Sequence, residues 1–249
     1  MYKIGIDIGS TYTKYCIIED DELIRLTAVK TPVRQAEYFE REIIKLTDKY
    51  PDAGITTCGY GRRNVAGARN INELSALSIG LKSVLPDAEY ALDIGGQDSK
   101  VIHCQNGQLT KFFVNDKCAA GSGMFLTHAC DLLGVAFEDI ELKPVELLDT
   151  RLSSVCAVFA QSEMVELIAA NVDEQTILSA VVYQILTQTK PLVEKIGLTG
   201  SDKLVLSGGL TKIAGFDRYA QAVLNREAVI PEHSDYLSAV GCAKYRYTD

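Results

Sequence analysis

The sequence predicts an α/β protein built from two related lobes that face a shared cleft. Two phrases carry this prediction: YKIGIDIGST opens the chain, and EYALDIGGQDSK stands in its middle. Each is an apolar strand ending in Asp-Ile-Gly, and a weaker third copy, DKLVLSGGL, ends in Gly-Gly. Strand and helix patterns alternate between these copies. We therefore expect a first lobe at residues 1–90, completed by a C-terminal helix at 235–249, and a second lobe at 91–234.

Composition narrows the class of protein. The chain has 249 residues, 47% of them hydrophobic, and a formal net charge of −8. No apolar run approaches the ~20 residues of a membrane span. The sequence also has no stripe of basic residues, which argues against nucleic-acid binding as the main function. The N-terminus has no signal-peptide pattern, so we expect a cytoplasmic protein. Seven cysteines together with this expected location indicate reduced thiols rather than disulfides. Because no CxxC pair occurs, we expect neither a zinc ribbon or zinc finger nor a ferredoxin-type cluster held by one closely spaced run of cysteines.

In the first lobe, YTKYCIIED and LIRLTAVKT read as paired strands. AEYFEREIIKLTDKY has the apolar spacing of a helix and is stopped by Pro51. AGITTCGYGR reads as a strand that enters a glycine turn, and INELSALSIGLKSVL as a helix that ends before Pro86. The final segment, DYLSAVGCAKYRY, is predicted to be a helix.

The second lobe begins with the central Asp-Ile-Gly strand. KVIHCQNGQLTKFFV then predicts a hairpin that turns at Asn106-Gly107. AGSGMFLTHACDLLG predicts a helix ending at Gly134, and SSVCAVFAQSEMVELIAAN a second helix capped by Ser153 or Ser154. The segment DEQTILSAVVYQILTQTKPLVEKIG predicts a long helix in which Pro191 causes a kink or a break.

The two acidic glycine turns have the composition of phosphate and magnesium sites. Gly9 permits a tight turn whose N–H groups can face an anion, and Ser10, Thr11 and Lys14 add two hydroxyls and a cation. Asp7, at the strand end, can hold magnesium through water.

The second turn supplies the same parts. Asp93 again ends a strand and can hold magnesium through water, and Gln97 is placed to orient an attacking water. Further expected nucleotide contacts are Gly95, Gly96, Gly121, Ser122, Gly123, Gly208, Gly209, Leu210 and Lys212. An isolated turn of this kind could be only a tight strand end, but two acidic copies and a third Gly-Gly favour a nucleotide site.

The three turns resemble those of the ATPase superfamily of sugar kinases, actin and DnaK-type chaperones. The chain has no Walker A sequence and no G-x-G-x-x-G after its first strand. The resemblance implies two ribonuclease-H-like lobes that clamp ATP with magnesium. It also implies that the C-terminal helix packs back on the first lobe.

Two cysteines stand at predicted helix starts. Cys118 precedes AAGSG, and Cys156 precedes AVFAQSE. The N–H groups and dipole of a helix start favour a thiolate. Two such thiolates make half of a four-cysteine cluster site, which a two-fold dimer would complete. The alternative is two ordinary buried cysteines, the interpretation we give to the other five.

NDKCAAGSGMFL, SSVCAVFAQSE, GYGR, ELSA and DIGGQDSKV together resemble the activator ATPases of 2-hydroxyacyl-CoA dehydratases, part of the wider benzoyl-CoA reductase ATPase family. The match runs through essentially the whole chain. The resemblance implies a homodimer with one 4Fe–4S cluster, held by Cys118 and Cys156 of each subunit. It implies ATP-driven transfer of a low-potential electron, donated by ferredoxin or flavodoxin, to a partner iron–sulfur enzyme.

Other functions stay open at this point. Met124 and Gln161 depart from the commonest activator pattern, so a reductase of a double-cubane-cluster protein, or a benzoyl-CoA reductase-type ATPase subunit, fits about as well. A small-molecule kinase on the same fold would need a base beside an acceptor pocket, and no aspartate outside the nucleotide turns is a clear candidate. A regulatory or chaperone-like ATPase is the third class.

Overall fold

The computed structural model describes residues 1–115, 119–153, 156–200 and 202–246. Its chain divides into two compact units. The first consists of Met1–Glu89, His103–Thr110 and Tyr236–Asp249, and the second of Tyr90–Ile102 and Lys111–Asp235. Among the described residues, no helix has the length and apolar character needed to cross a membrane.

The first sheet has the order β3-β2-β1-β4-β5. Its strands are β1 (Tyr2–Ile8), β2 (Tyr12–Glu19), β3 (Glu22–Lys30), β4 (Gly54–Gly59) and β5 (Arg69–Asn70). Strands β1, β2 and β3 are antiparallel neighbours, whereas β4 lies parallel to β1 on its other side. The first Asp-Ile-Gly strand is therefore the central strand of this sheet, and its apolar side chains at Ile4, Ile6 and Ile8 are fully buried.

The second sheet repeats this arrangement. Its strands are β6 (Tyr90–Ile94), β7 (Ser99–Gln105), β8 (Gln108–Asn115), β9 (Leu204–Gly208) and β10 (Ala228–Val229), in the order β8-β7-β6-β9-β10. Strand β6, which carries the second Asp-Ile-Gly, is again central, with β9 parallel beside it. The predicted hairpin turn is confirmed, since Asn106 and Gly107 both have positive φ.

The helices follow the predicted pattern except at three places. They are α1 (Gln35–Lys49), α2 (Glu73–Val84), α3 (Gly123–Leu133), α4 (Ala157–Ala169), α5 (Glu174–Ile196), α6 (Phe216–Leu224) and α7 (Leu237–Lys244). Helix α6 was not predicted. Helix α5 continues through Pro191 without a break, and Asp173 caps its start by accepting a hydrogen bond from the Thr176 N–H at 3.1 Å.

The predicted cap of α4 is wrong. Its N-cap residue is Cys156, whose side chain forms no capping hydrogen bond. Ser153 lies before the helix and binds Glu163, a residue within it. The Ser153 N–H and hydroxyl both donate to the Glu163 carboxylate, each at 2.7 Å. Ser153 therefore contacts the helix at Glu163 and does not cap its first turn. Ser154 lies outside the described residues.

In the first unit, α2 and α7 cross at very short distance. A Cβ atom at Gly241 would lie 1.7 Å from the Ala76 carbonyl oxygen, and one at Gly80 would lie 1.9 Å from that of Leu237. On β1, a Cβ at Gly5 would lie 2.0 Å from the Ala239 carbonyl oxygen. The C-terminal helix thus packs on both α2 and the central strand through positions that only glycine can fill.

Candidate functional site

The first glycine turn joins β1 to β2. The Gly9 N–H donates to the Tyr12 carbonyl at 3.2 Å, and the Thr31 hydroxyl donates to the Gly9 carbonyl at 2.8 Å. A Cβ at Gly9 would lie 2.9 Å from the Tyr12 oxygen, so glycine is required for the tight turn. Ser10 and Thr11 stand half-buried at its tip.

Asp7 lies at the end of β1, directly opposite Lys14 in the antiparallel pair with β2. Side chains of residues paired in this way project to the same face of the sheet, so the Lys14 ammonium lies on the same face as the Asp7 carboxylate. On the other side, the Cys58 thiol donates to Asp7 Oδ1 at 3.5 Å. Gly59 has φ +84°, and a Cβ there would lie 2.9 Å from Asp7 Oδ1. Strand β4 therefore approaches the Asp7 carboxylate closely.

The second glycine turn is built around a buried lysine. Lys100 Nζ lies 3.3 Å from Asp93 Oδ2 and 3.1 Å from Asp98 Oδ1. The other oxygen of Asp93 accepts a hydrogen bond of 2.7 Å from the Ser207 hydroxyl on β9. The lysine side chain is 4% exposed, against 13% and 12% for the two carboxylates. Asp93 is thus held from both sides before any ligand arrives.

The turn itself is closed by backbone hydrogen bonds. The Gly95 N–H donates to the Asp98 carbonyl at 2.8 Å. The first N–H groups of α3, at Gly123 and Met124, donate to the Gly95 and Gly96 carbonyls at 2.8 and 2.9 Å. Gln97, in contrast, is exposed at the tip. This leaves the Gln97 side chain accessible while its backbone is fixed.

The segment before α3 supports the turn in the same way. The Ser99 hydroxyl donates to the Gly121 carbonyl. A Cβ at Gly121 would lie 2.8 Å from the Asn115 side-chain nitrogen, and one at Gly123 would lie 3.1 Å from the Gly95 oxygen. Gly121, buried Ser122 and Gly123 are therefore brought against the second turn, as neighbours of the predicted phosphate contacts.

The third glycine turn follows β9 and lies beside the second, because Asp93 pairs with Ser207 and Ile94 with Gly208 in the parallel register. Gly208 has φ +99°, and a Cβ there would lie 2.1 Å from the Ile94 oxygen. Gly209 is exposed, Leu210 is buried, and Lys212 Nζ lies 2.9 Å from Asp235 Oδ2. Two of the three predicted turns are thus adjacent within the second unit.

The cysteines separate clearly by exposure. Cys16, Cys58, Cys104, Cys130 and Cys242 are buried, as predicted, and Cys156 is the one exposed cysteine among the six that the structure describes. Burial raises the pKa of the Cys16 thiol to about 12 and the pKa values of Cys104 and Cys130 to about 11. Cys118 lies outside the described residues, so its predicted place near a helix start remains a prediction.

Cys156 lies at the start of α4, and several exposed residues of this helix are apolar. Val158 and Phe159 are 71% and 67% exposed, and Val165 and Ile168 continue the exposed apolar surface along α4. Within the described residues, no group of three or more histidine, cysteine or acidic side chains could hold a metal ion. A cluster shared by two copies would draw only two cysteines from each chain, and the exposed Cys156 fits one of these two positions.

Sequence reasoning missed Lys100, Asp98 and Ser207. The signal for the first two was present: Asp98 and Lys100 are two residues apart at the start of β7, and that spacing places side chains on one face of a strand. Ser207 could be found only from the parallel pairing of β9 with β6, which the local sequence does not fix.

Comparison with known proteins agrees with the resemblance noted from the sequence. Residues 4–245 match the model of the BadF/BadG/BcrA/BcrD ATPase family. The chain is 33% identical over 258 residues to the (R)-2-hydroxyglutaryl-CoA dehydratase activating ATPase of Acidaminococcus fermentans, covering 99% of this chain and 97% of that one.

Solved structures give the same result. The activator of the 2-hydroxyisocaproyl-CoA dehydratase from Clostridium difficile, with bound ADPNP, superposes with a TM-score of 0.86 at 29% identity, covering 98% of this chain and 93% of that chain. A ROK family protein from Streptococcus pneumoniae, solved with sucrose, shares the fold alone: its TM-score is 0.57 at 12% identity, over 98% and 96% of the two chains. The predicted fold class is therefore confirmed: two α/β units, each with a five-stranded mixed sheet, in the fold shared by actin-like ATPases and sugar kinases. With nearly its whole length matched, the chain belongs to the BadF/BadG/BcrA/BcrD ATPase family.

Proposed function

We propose that this protein is an ATP-dependent activator that passes a low-potential electron to a partner iron–sulfur enzyme, a 2-hydroxyacyl-CoA dehydratase. Membership of an ATPase family supports the use of ATP. The partner is inferred from the relative that is 33% identical and is named as a dehydratase activating ATPase. The expected electron donor is reduced ferredoxin or flavodoxin.

The glycine turns supply the proposed nucleotide contacts. In the first unit, the Gly9 turn with Ser10, Thr11 and Lys14 would bind phosphate oxygens. In the second, the Gly95 and Gly96 turn would do the same, and exposed Gln97 would orient the attacking water. Asp7 and Asp93 would hold magnesium through its waters, since magnesium keeps most of its hydration shell in proteins.

The exposure of Cys156 carries the cluster proposal. It lies at the start of α4, where backbone N–H groups favour negative charge. We propose that Cys118 and Cys156 of two copies together hold one 4Fe–4S cluster, which supplies one-electron redox chemistry. The exposed apolar residues of α4 would lie at or near the contact between the copies, because exposed apolar patches mark interaction surfaces.

Anaerobic reconstitution tests the cluster ligands. Iron and sulfide are measured in the parent protein and in Cys118→Ala, Cys156→Ala and Cys104→Ala, the last being the control at a buried cysteine. We expect the first two variants to lose the cluster and its visible absorption, and to keep their fold and ATP binding. Cys104→Ala should match the parent. Normal iron content in both Cys118→Ala and Cys156→Ala would overturn the ligand assignment.

A coupled assay tests the partner. The reconstituted, reduced protein is mixed with a purified 2-hydroxyacyl-CoA dehydratase and its substrate, with ATP or with ADPNP. We expect dehydration of the substrate with ATP and none with ADPNP. Equal dehydration with ADPNP would show that hydrolysis is not required, and electron transfer to a double-cubane-cluster protein in place of the dehydratase would reassign the partner.

A further inference from the structure

We propose that Lys100 is the positioning residue of the second glycine turn: its buried ammonium ties Asp93 to Asp98 and holds the turn in the geometry needed for ATP hydrolysis. This inference rests on the proposed function, which assigns the turn to ATP. It adds a role for a lysine outside the glycine motif itself.

Burial decides how Lys100 can act. Its side chain is 4% exposed, and its ammonium lies between two carboxylates at 3.3 and 3.1 Å. A lysine that gripped phosphate would need an accessible ammonium. The ammonium of Lys100 instead forms ion pairs with Asp93 and Asp98, so any effect of Lys100 on the nucleotide must act through these two carboxylates.

The two carboxylates bracket the turn. Asp93 is the last acidic residue before Gly95, and Asp98 follows Gln97 directly. Lys100 contacts both carboxylates and so links the two ends of the turn through side chains. The hydrogen bond from the Gly95 N–H to the Asp98 carbonyl links the same ends through the backbone. The path of the chain through Gln97 is therefore fixed at both ends.

Charge gives the second reason. Asp93 and Asp98 would repel each other and an incoming triphosphate if their charges were not compensated. One ammonium between them offsets that repulsion and leaves the Ser207 hydroxyl bond to orient the remaining oxygen of Asp93. Residues that orient metal-site carboxylates in this way are commonly worth 10–100-fold in activity.

Chemical rescue provides the test. Lys100→Ala removes three methylene groups and the ammonium, the equivalent of n-propylammonium. We expect the kcat for ATP hydrolysis to fall about 100-fold, with the nucleotide Kd within about threefold of the parent. Added n-propylammonium should restore kcat at least about tenfold, and tetramethylammonium at equal ionic strength should not. The control is Lys203→Ala, an exposed lysine of the same unit paired with Glu227, which should resemble the parent and show no rescue.

A second readout does not depend on ATP. Hydrogen exchange is followed at the Gly95, Gly123 and Met124 amides, which are bonded within and against the turn. We expect faster exchange in Lys100→Ala than in Lys203→Ala. If Lys100→Ala does not fold, Asp98→Asn takes its place, and it should lower kcat while keeping nucleotide affinity.

The outcomes separate this inference from the proposed function. An active parent with an equally active Lys100→Ala or Asp98→Asn variant overturns the inference alone. So does loss of affinity in place of kcat, or rescue that is equal in parent and variant. A parent without magnesium-dependent hydrolysis overturns the proposed function, and the exchange measurement then still decides whether Lys100 holds the turn.

Discussion

At the residue scale, the two strand-end aspartates share a place but differ in surroundings. Asp93 is held by a buried ammonium and a buried hydroxyl, whereas Asp7 is approached by the Cys58 thiol and the backbone of β4. Both lie at the end of the central strand of their sheets. The role proposed for both carboxylates, the orientation of a hydrated magnesium ion, would thus depend on different neighbours in the two units.

We predict that Asp7→Ala and Asp93→Ala each reduce magnesium-dependent ATP hydrolysis by roughly 10²-fold, because each would remove a carboxylate proposed to hold the metal through its waters. Steady-state hydrolysis at several magnesium concentrations measures the effect. Glu22→Ala, at the far edge strand β3, is the matched control. Hydrolysis equal to that of the parent at low magnesium would exclude the metal role.

Gln97→Ala is predicted to act differently. Its side chain is exposed at the turn, so its removal should disturb the attacking water and little else. We expect kcat to fall by roughly 10²-fold while the nucleotide Kd changes little. Hydrolysis rates and calorimetric affinity measured on the same preparation separate the two quantities. Weaker affinity with unchanged turnover would make Gln97 a binding residue.

The buried thiols predict an alkaline weakening of the fold. Burial raises the pKa of Cys16 to about 12, so between its ordinary pKa and that value the folded state binds the proton that the unfolded chain releases. This contribution to stability is full below about pH 8.5 and is lost as the pH rises further.

Urea unfolding at pH 7.5 and pH 10, under reducing conditions, measures this loss. The parent should lose roughly 1–2 kcal/mol more than Cys16→Ala between the two values. The comparison cancels the tyrosines and lysines that titrate in both proteins. An identical loss in parent and variant would contradict the assigned origin.

At the element scale, the crossing of α2 and α7 depends on glycine. We predict that Gly241→Ala and Gly80→Ala each destabilise the protein by about 1–3 kcal/mol, since their Cβ atoms would overlap carbonyl oxygens and push the helices apart. Chemical denaturation measures the free energy of unfolding. Gly54→Ala is the control, because a Cβ there meets nothing within 4 Å. A loss equal to that of Gly54→Ala would exclude close packing as the cause.

Particular elements mark what the sequence can predict. The central strands and the Asn106-Gly107 hairpin were predicted because local pattern determines them. Helix α6 was missed although its buried Phe216, Tyr219 and Val223 recur at helical spacing. The cap of α4 was predicted at Ser153 or Ser154, but the helix begins at Ala157 with Cys156 as its N-cap residue, so Ser153 lies too far before the helix start to cap it.

At the scale of the whole molecule, the repeat read from the sequence corresponds to two sheets with the same strand order. The glycine turns follow directly from that repeat. The groups that hold the second turn follow from it only in part. The spacing of Asp98 and Lys100 is local and was available in the sequence, whereas Ser207 reaches Asp93 only after β9 has paired with β6.

Oxygen is predicted to separate the cluster from the fold. Each unit has its own apolar core, which requires no cluster. Air should therefore bleach the reconstituted protein and loosen its dimer, since four thiolates would then face one another without iron, but leave the subunit folded. Sedimentation and circular dichroism before and after air exposure measure both effects. Loss of helical signal together with the colour would show that the cluster maintains the fold.

Native mass spectrometry of anaerobically reconstituted protein tests most directly whether two copies share one cluster. We predict a species of two chains with four iron and four sulfide ions, and its absence in Cys156→Ala. Co-expression of parent and Cys156→Ala should give mixed dimers that hold the cluster poorly. A single chain that carries a complete cluster, or a Cys156→Ala dimer with four iron ions, would contradict the account.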